Sequence, residues 1–214
     1  MFARYTTLRG KPDKIDAGIA LADGRVRASV EETEGNRGFV LIADAEGGRL
    51  VGASYWKSAA SMRDGEISLA QAPTTAAATF DAVVLSIEHF ELAVGFRRSI
   101  PPRGAVVRVS RLETDPARVE EAIGLMRAET VPRVKGTNGL CSFQFLINRD
   151  YGAGMVVSTW ETRDALDAYW PLAEQMRARA SERAGVRLGS IEDFAMIRTT
   201  VRLERAPLPM APAT

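Results

Sequence analysis

The spacing of apolar positions predicts strands and helices in a fixed order. Residues 2–8, with aromatic and Thr side chains, read as a strand. Gly10-Lys11-Pro12-Asp13 opens a helix with Pro near its first position. Ile15, Ile19, Val26 and Val30 form its apolar stripe to about residue 33, weakened by Gly24. Residues 34–38 read as a turn, 39–43 as a strand, 46–48 as a hairpin loop and 49–57 as a strand ending on Tyr55-Trp56. A second helix starts after Ser58 as N-cap and loses its pattern at Pro73 and the Ala/Thr stretch 74–79. Residues 81–94 form a long last strand, so the order is βαββαβ.

The order then recurs. Residues 105–112 read as a strand, and Thr114-Asp115-Pro116 opens a helix whose stripe of Val119, Ile123, Met126 and Thr130 runs until Pro132. Residues 140–148 and 154–160 form a hairpin around Asp150-Tyr151-Gly152. A long helix begins at 161–164, with Leu166, Tyr169, Trp170, Ala173 and Met176 on one face, and 190–202 is the closing strand.

The two halves are copies. Ser86-Ile87-Glu88-His89-Phe90 returns 104 residues later as Ser190-Ile191-Glu192-Asp193-Phe194, and the same offset carries Trp56 onto Trp160, Ser54 onto Ser158 and Arg4 onto Arg108. We therefore divide the chain into a first ferredoxin-like repeat at 1–94, a linker at 95–104 containing Pro101-Pro102, a second repeat at 105–204 and a Pro/Ala-rich tail, expected to be disordered, at 205–214.

Composition adds mainly exclusions. With 46% hydrophobic and 26% charged residues the chain is of ordinary globular type. A net charge of +1 gives no electrostatic case for nucleic acid or an acidic membrane surface. Cys141 is the single cysteine and His89 the single histidine, so neither an intrachain disulfide nor a Cys/His metal cluster is expected. The amino-terminal residues lack a signal-peptide pattern, and there is no run of 18 apolar residues, so the expected compartment is the cytoplasm.

Two βαββαβ units, together with the passage Trp160-Glu161-Thr162 through Ala165-Leu166 to Tyr169-Trp170 and the closing Ile191-Glu192-Asp193-Phe194, resemble the antibiotic-biosynthesis-monooxygenase type of dimeric α+β barrel. The first half carries this in part, through Trp56, Ser58, Met62 and 87–90. The resemblance implies an α+β fold in which the repeats pair sheet to sheet as a pseudo-dimer, with a further homodimer as one option. It implies a small-molecule ligand in a cavity, and an activity among cofactor-free oxygenases of aromatic polyketides, cyclases, haem-degrading oxygenases or non-catalytic ligand-binding and stress-response proteins. Haem-degrading relatives place a His on the second helix; 58–72 and 162–184 hold none here, so a cofactor-free protein is expected.

Strand parity supplies candidates. Ala105, Val107 and Val109 alternate with Arg108, so packing the apolar face on the helices turns Arg108, and by the same parity Arg4, toward the other repeat. In a sheet of order 4-1-3-2, Arg4 then pairs with Glu88 and Arg108 with Glu192. The functional reading makes Glu192 and Arg108 a catalytic proton-acceptor pair; the alternative is an ion pair that only fixes the sheet. Trp160, Tyr169, Trp170 and Phe194 are expected against a flat ligand, or as plain core. Asn148, at a strand end, is a candidate to steady an oxyanion. His89 is read as facing surface or helix, with general base or haem ligand as the alternative.

Overall fold

The computed structural model describes residues 1–203; the tail expected at 205–214 lies outside the described residues. The first repeat holds β1 (Phe2–Arg9), α1 (Ile15–Leu21), α2 (Arg27–Glu32), β2 (Asn36–Asp44), β3 (Arg49–Trp56), α3 (Ala59–Ser68), α4 (Ala72–Thr79) and β4 (Val83–Arg97). The second holds β5 (Val106–Glu113), α5 (Val119–Leu125), α6 (Val131–Lys135), β6 (Leu140–Ile147), β7 (Ala153–Trp160), α7 (Arg163–Ala184) and β8 (Arg187–Thr199). The α+β class and the doubled βαββαβ order are those expected.

Three helices depart from the expectation in instructive ways. The first helix of each repeat is interrupted by a π-type turn, Ala22–Val26 between α1 and α2 and Met126–Thr130 between α5 and α6. These turns sit at the same offset as the sequence matches. Pro132, expected to end the helix, instead stands in the first turn of α6, directly after the π-type turn. Pro73 likewise stands in the first turn of α4, so the poorly patterned stretch of the first half is two short helices meeting at residues 69–71.

The strands are antiparallel, and their hydrogen-bonded order is β1-β3-β2-β8-β5-β7-β6-β4, a closed ladder. This is the expected α+β barrel, with β4 and β1 neighbours as the 4-1-3-2 order requires. The chain forms two compact units: one is Met1–Leu92 with Asp193–Arg202, and Ala93–Glu192 forms the body of the other. Within the first unit β8 pairs with β2, Val40 opposite Thr199 and Ala43 opposite Ala195.

The register corrects the expected parity. Arg4 lies opposite His89, and Tyr5 lies opposite Glu88. Directly opposed residues share a face, so Arg4 and Glu88 are on different faces of the sheet. Arg4 reaches α3 instead, its Nε 3.4 Å from Glu66. In the second unit Glu192 lies 3.8 Å from the Nε of Arg111, which alternates with Arg108 on β5. Glu192 is therefore on the face opposite Arg108. The apolar-inward argument failed because both faces of these sheets are apolar. In the first unit the helix side buries Leu8, Leu41, Leu50 and Trp56 against α1–α4. Ala3 and Tyr5, of the other parity, are 0% and 5% exposed. Alternation cannot rank two buried faces.

Local details repeat with the fold. Ser58 caps α3 by accepting from Ser61 N, and Thr162 caps α7 by accepting from Ala165 N. The indole N–H of Trp56 donates to Ser54 Oγ at 3.0 Å, and that of Trp160 to Ser158 Oγ at 3.0 Å. Both hairpins turn through a glycine with positive φ, Gly48 at 64° and Gly152 at 67°. A Cβ on Gly152 would run into the Thr114 carbonyl, so the turn needs glycine for space as well as for its backbone angle.

Candidate functional site

The second unit has a cavity of about 90 Å³ between its sheet and α7. By the measure on which one water needs roughly 10–15 Å³, this holds on the order of six to nine waters, the size of a molecule of two or three fused rings. Three alternate residues of β5 line it, Arg108, Ser110 and Leu112, as do Phe143 and Phe145 of β6 and Val156 and Ser158 of β7. The pairing puts these on one face, since Arg108 is opposite Ser158 and Ser110 opposite Val156. The helix side is an uninterrupted stripe on α7, Tyr169, Trp170, Ala173, Met176 and Arg177. Met126 and Thr130, the two ends of the π-type turn between α5 and α6, also line it.

Two ring contacts shape the site. Trp160 and Tyr169 lie with ring centroids 4.5 Å apart, and Trp160 is fully buried. The Arg108 guanidinium lies 4.7 Å over the Trp170 ring, an attraction worth about 0.5–2 kcal/mol depending on how dry the pair is. Burial pushes the Tyr169 hydroxyl well above the usual phenol range, so it is a proton donor and not a base at neutral pH. Burial, and then the nearby Arg108 charge, lower the Arg177 guanidinium, while Glu174 pulls the other way. Arg108 and Arg177 are the charged residues among the cavity's described lining, which has neither carboxylate nor imidazole.

The first unit has the equivalent cavity, about 60 Å³, bounded by Arg4, Thr6 and Leu8 of β1, Ser54 of β3, and Pro73 and Ala76 of α4. Its chemistry differs. At the fixed offset Glu66 stands where Trp170 stands, Gly65 where Tyr169 stands and Pro73 where Arg177 stands. Arg4, 8% exposed, meets the Glu66 carboxylate, whose other oxygen lies 3.1 Å from His89 Nε2. Burial lowers the Arg4 guanidinium, and Glu66 opposes that shift. A Cβ at Gly65 would overlap the Trp56 ring, so Trp56 lies directly on the helix backbone where Trp160 lies on a tyrosine.

Of the residues expected at a site, Arg108, Tyr169 and Trp170 meet in one cavity, with Trp160 behind Tyr169. Arg4 lines the other cavity. Glu192 and Glu88 share neither face with their expected arginines. Phe194 belongs to the first unit, with the Arg49 guanidinium 5.0 Å from its ring. Asn148 spends its side-chain oxygen on the hairpin, accepting from Asp150 N at 3.0 Å and Tyr151 N at 3.2 Å. His89 faces α3, the helix-facing reading. Sequence reasoning missed Arg177 and Glu66. Arg177 was reachable by extending the α7 stripe four residues past Ala173, and Glu66 by reading the offset through α3.

Residues 1–64 match the family model of antibiotic biosynthesis monooxygenases. The uncharacterised protein Rv2557 of Mycobacterium tuberculosis is 25% identical over 185 residues, 86% of this chain and 82% of its own. An anthrone oxidase-like protein of known structure superposes with a TM-score of 0.64 at 16% identity, covering 98% of this chain and 96% of that one. The haem-degrading enzyme of Listeria monocytogenes superposes at 0.53 and 10% identity, covering 91% and 99%. No helix among the described residues is long and apolar enough to cross a membrane. Repeat and strand order agree: the chain is an α+β barrel built as a tandem of two ferredoxin-like repeats, similar over residues 1–64 to the antibiotic biosynthesis monooxygenases.

Proposed function

We propose that this protein binds a small flat aromatic or polyketide-like molecule in the sheet–helix cavity of the second repeat and oxidises it with O2 without a cofactor. The observation that carries the reading is the cavity itself. Its walls are aromatic and aliphatic, its size suits two or three fused rings, and its one ring-stacked cation, Arg108, lies at the end of β5 nearest Trp170. The anthrone oxidase-like neighbour supports the substrate class.

In this reading the cavity orients the ligand and stabilises its anion. An acidic ring position loses a proton, and the positive field of Arg108 favours the resulting oxyanion, to which the protonated Tyr169 can donate. The electron-rich carbon passes an electron to O2, and recombination gives a peroxide at that carbon. Protonation and loss of water leave a carbonyl, so a ring CH2 and O2 become C=O and H2O with no external reductant. The lining offers no base, so the proton leaves to water, and Glu192, on the other face of the sheet, is left out of the step. A haem-dependent reading does not fit the residues present, since His89 Nε2 is engaged by Glu66 and neither cavity has an imidazole or thiolate in its lining.

That missing base favours a second reading, a ligand-binding module without chemistry. Oxygen uptake by the purified protein with an anthrone-class substrate separates the two. The first reading expects uptake with quinone formation, reduced on the order of 100-fold in Arg108→Met. Binding without uptake leaves the module; neither binding nor uptake removes both.

A further inference from the structure

The first unit has a cavity of its own, with a chemistry that the second does not share. Its volume of about 60 Å³ holds on the order of four to six waters, the room taken by one six-membered ring. Most of its wall is aliphatic, with Leu8, Val26, Val30, Leu41 and Leu50. Its polar groups gather on one part of the sheet. Arg4 stands opposite Ser54, and Thr6 follows Arg4 on the same face of β1.

Arg4 is the group that asks for an explanation. It is 8% exposed, and its Nε–H is buried with no hydrogen-bond acceptor among the described residues. Glu66 comes within 3.4 Å of that nitrogen and balances its charge, yet does not take its hydrogen. A buried donor in this position keeps its desolvation penalty without a bond in return, and folded proteins seldom leave one so. Ser54 Oγ accepts from the Trp56 indole at 3.0 Å, which leaves the serine O–H to donate. The wall therefore offers donors to an acceptor brought in by a ligand, while its aliphatic remainder suits an apolar body. The charge argues for an uncharged acceptor. Arg4 already has a countercharge, and a ligand carboxylate beside Glu66 would set two like charges around one guanidinium where burial weakens screening.

We propose that the first cavity is a second ligand site, taking a single-ring apolar molecule whose one uncharged hydrogen-bond acceptor receives the Arg4 Nε–H. The inference concerns the first repeat alone and is independent of what the second cavity binds.

The test is a nuclear magnetic resonance titration of the whole chain with benzonitrile, toluene and benzoate. The three share a ring and differ in one substituent: a neutral acceptor, none, and a charge. The amide of Gly52, in the cavity wall, reports the affinity of each probe. The Arg4 Nε–Hε signal, assigned by its loss in Arg4→Lys, reports the bond itself. We expect benzonitrile to move both signals saturably, toluene to move Gly52 with a smaller change at Arg4, and benzoate to bind at least five-fold more weakly than benzonitrile. Arg4→Met is expected to weaken benzonitrile at least five-fold and leave toluene within two-fold, which also shows the variant to be folded. Arg4→Lys keeps a charge for Glu66 but has no Nε, and is expected to behave like Arg4→Met. If neither variant folds, the Arg4 signal of the wild-type chain still decides between benzonitrile and toluene. Equal movement of that signal by both, or an equal loss of both in the variants, would overturn the role of the acceptor. Tighter binding of benzoate than of benzonitrile would overturn the choice of an uncharged ligand. No saturable change at Gly52 with any probe would remove the site and leave the reading of the second cavity untouched.

Discussion

Removing the hydroxyl that each buried tryptophan donates to isolates one bond made twice. In Ser158→Ala, the Trp160 indole N–H loses its acceptor at 3.0 Å. Trp160 is 0% exposed and Ser158 5%, so water does not reach the nitrogen from outside without opening the site. An unsatisfied buried donor costs about 1–3 kcal/mol, more than the net worth of the bond, because the group keeps its desolvation penalty. The cost to a chain of this size appears as roughly 2–4 °C of melting temperature per kcal/mol. Urea unfolding measures it directly as a lower midpoint with an unchanged slope. Ser54→Ala removes the same bond from Trp56, where Ser54 is 7% exposed, and should cost a similar amount. Pairing Ser158→Ala with Trp160→Phe closes a double-mutant cycle. Since Phe brings no donor, the serine change should cost far less in that background, with a coupling of about 1–2 kcal/mol. A cost below about 0.5 kcal/mol for Ser158→Ala in the wild-type chain, or no coupling in the cycle, would refute the claim that the bond is satisfied nowhere else.

Other outcomes follow from the same geometry. Glu66→Gln should destabilise the chain by about 1–3 kcal/mol in urea, because Arg4 stays buried and its countercharge is gone. Gly152→Ala should cost more than 1 kcal/mol, measured the same way, because both its φ and the Thr114 carbonyl resist a Cβ. Hydrogen bonds from Arg198 hold the Asp23 carboxyl below the usual range against a smaller opposing effect of burial. A depressed carboxyl stabilises the fold above its unfolded value of about 3.9 and loses that contribution as pH falls through its folded value. Arg198→Gln should therefore lower the urea midpoint at pH 6 and flatten its decline between pH 4 and 2.5.

The doubled order was readable because turn residues and apolar stripes recur at one offset, and Trp56 and Trp160 mark the same strand end twice. Element type survived even where Pro73 blurred the pattern, since α3 and α4 simply divide there. What the sequence could not decide was which sheet face meets the helices. Val107 and Val109 on one side and Phe143 and Phe145 on the other are all at most 5% exposed, so hydrophobicity points both ways. That single ambiguity sent Arg108 to the wrong face and coupled it to Glu192. The rings of α7 were found regardless, because a helical stripe needs no knowledge of the sheet. Arg177 escaped because a charge on an apolar stripe looks like its end, when here it is part of the wall.

The π-type turns carry a date. They occur at matching places in both first helices, as do the Trp–Ser bonds and the helix caps, so the common explanation is that a single ancestral unit already had them before it doubled. Glu66 opposite Trp170, and Pro73 opposite Arg177, differ and so were settled afterwards. The turns therefore cannot owe their existence to the charge or the aromatic wall of either present cavity. They are older scaffolding, holding open a space between helix and sheet whose lining was settled later, and separately in each half.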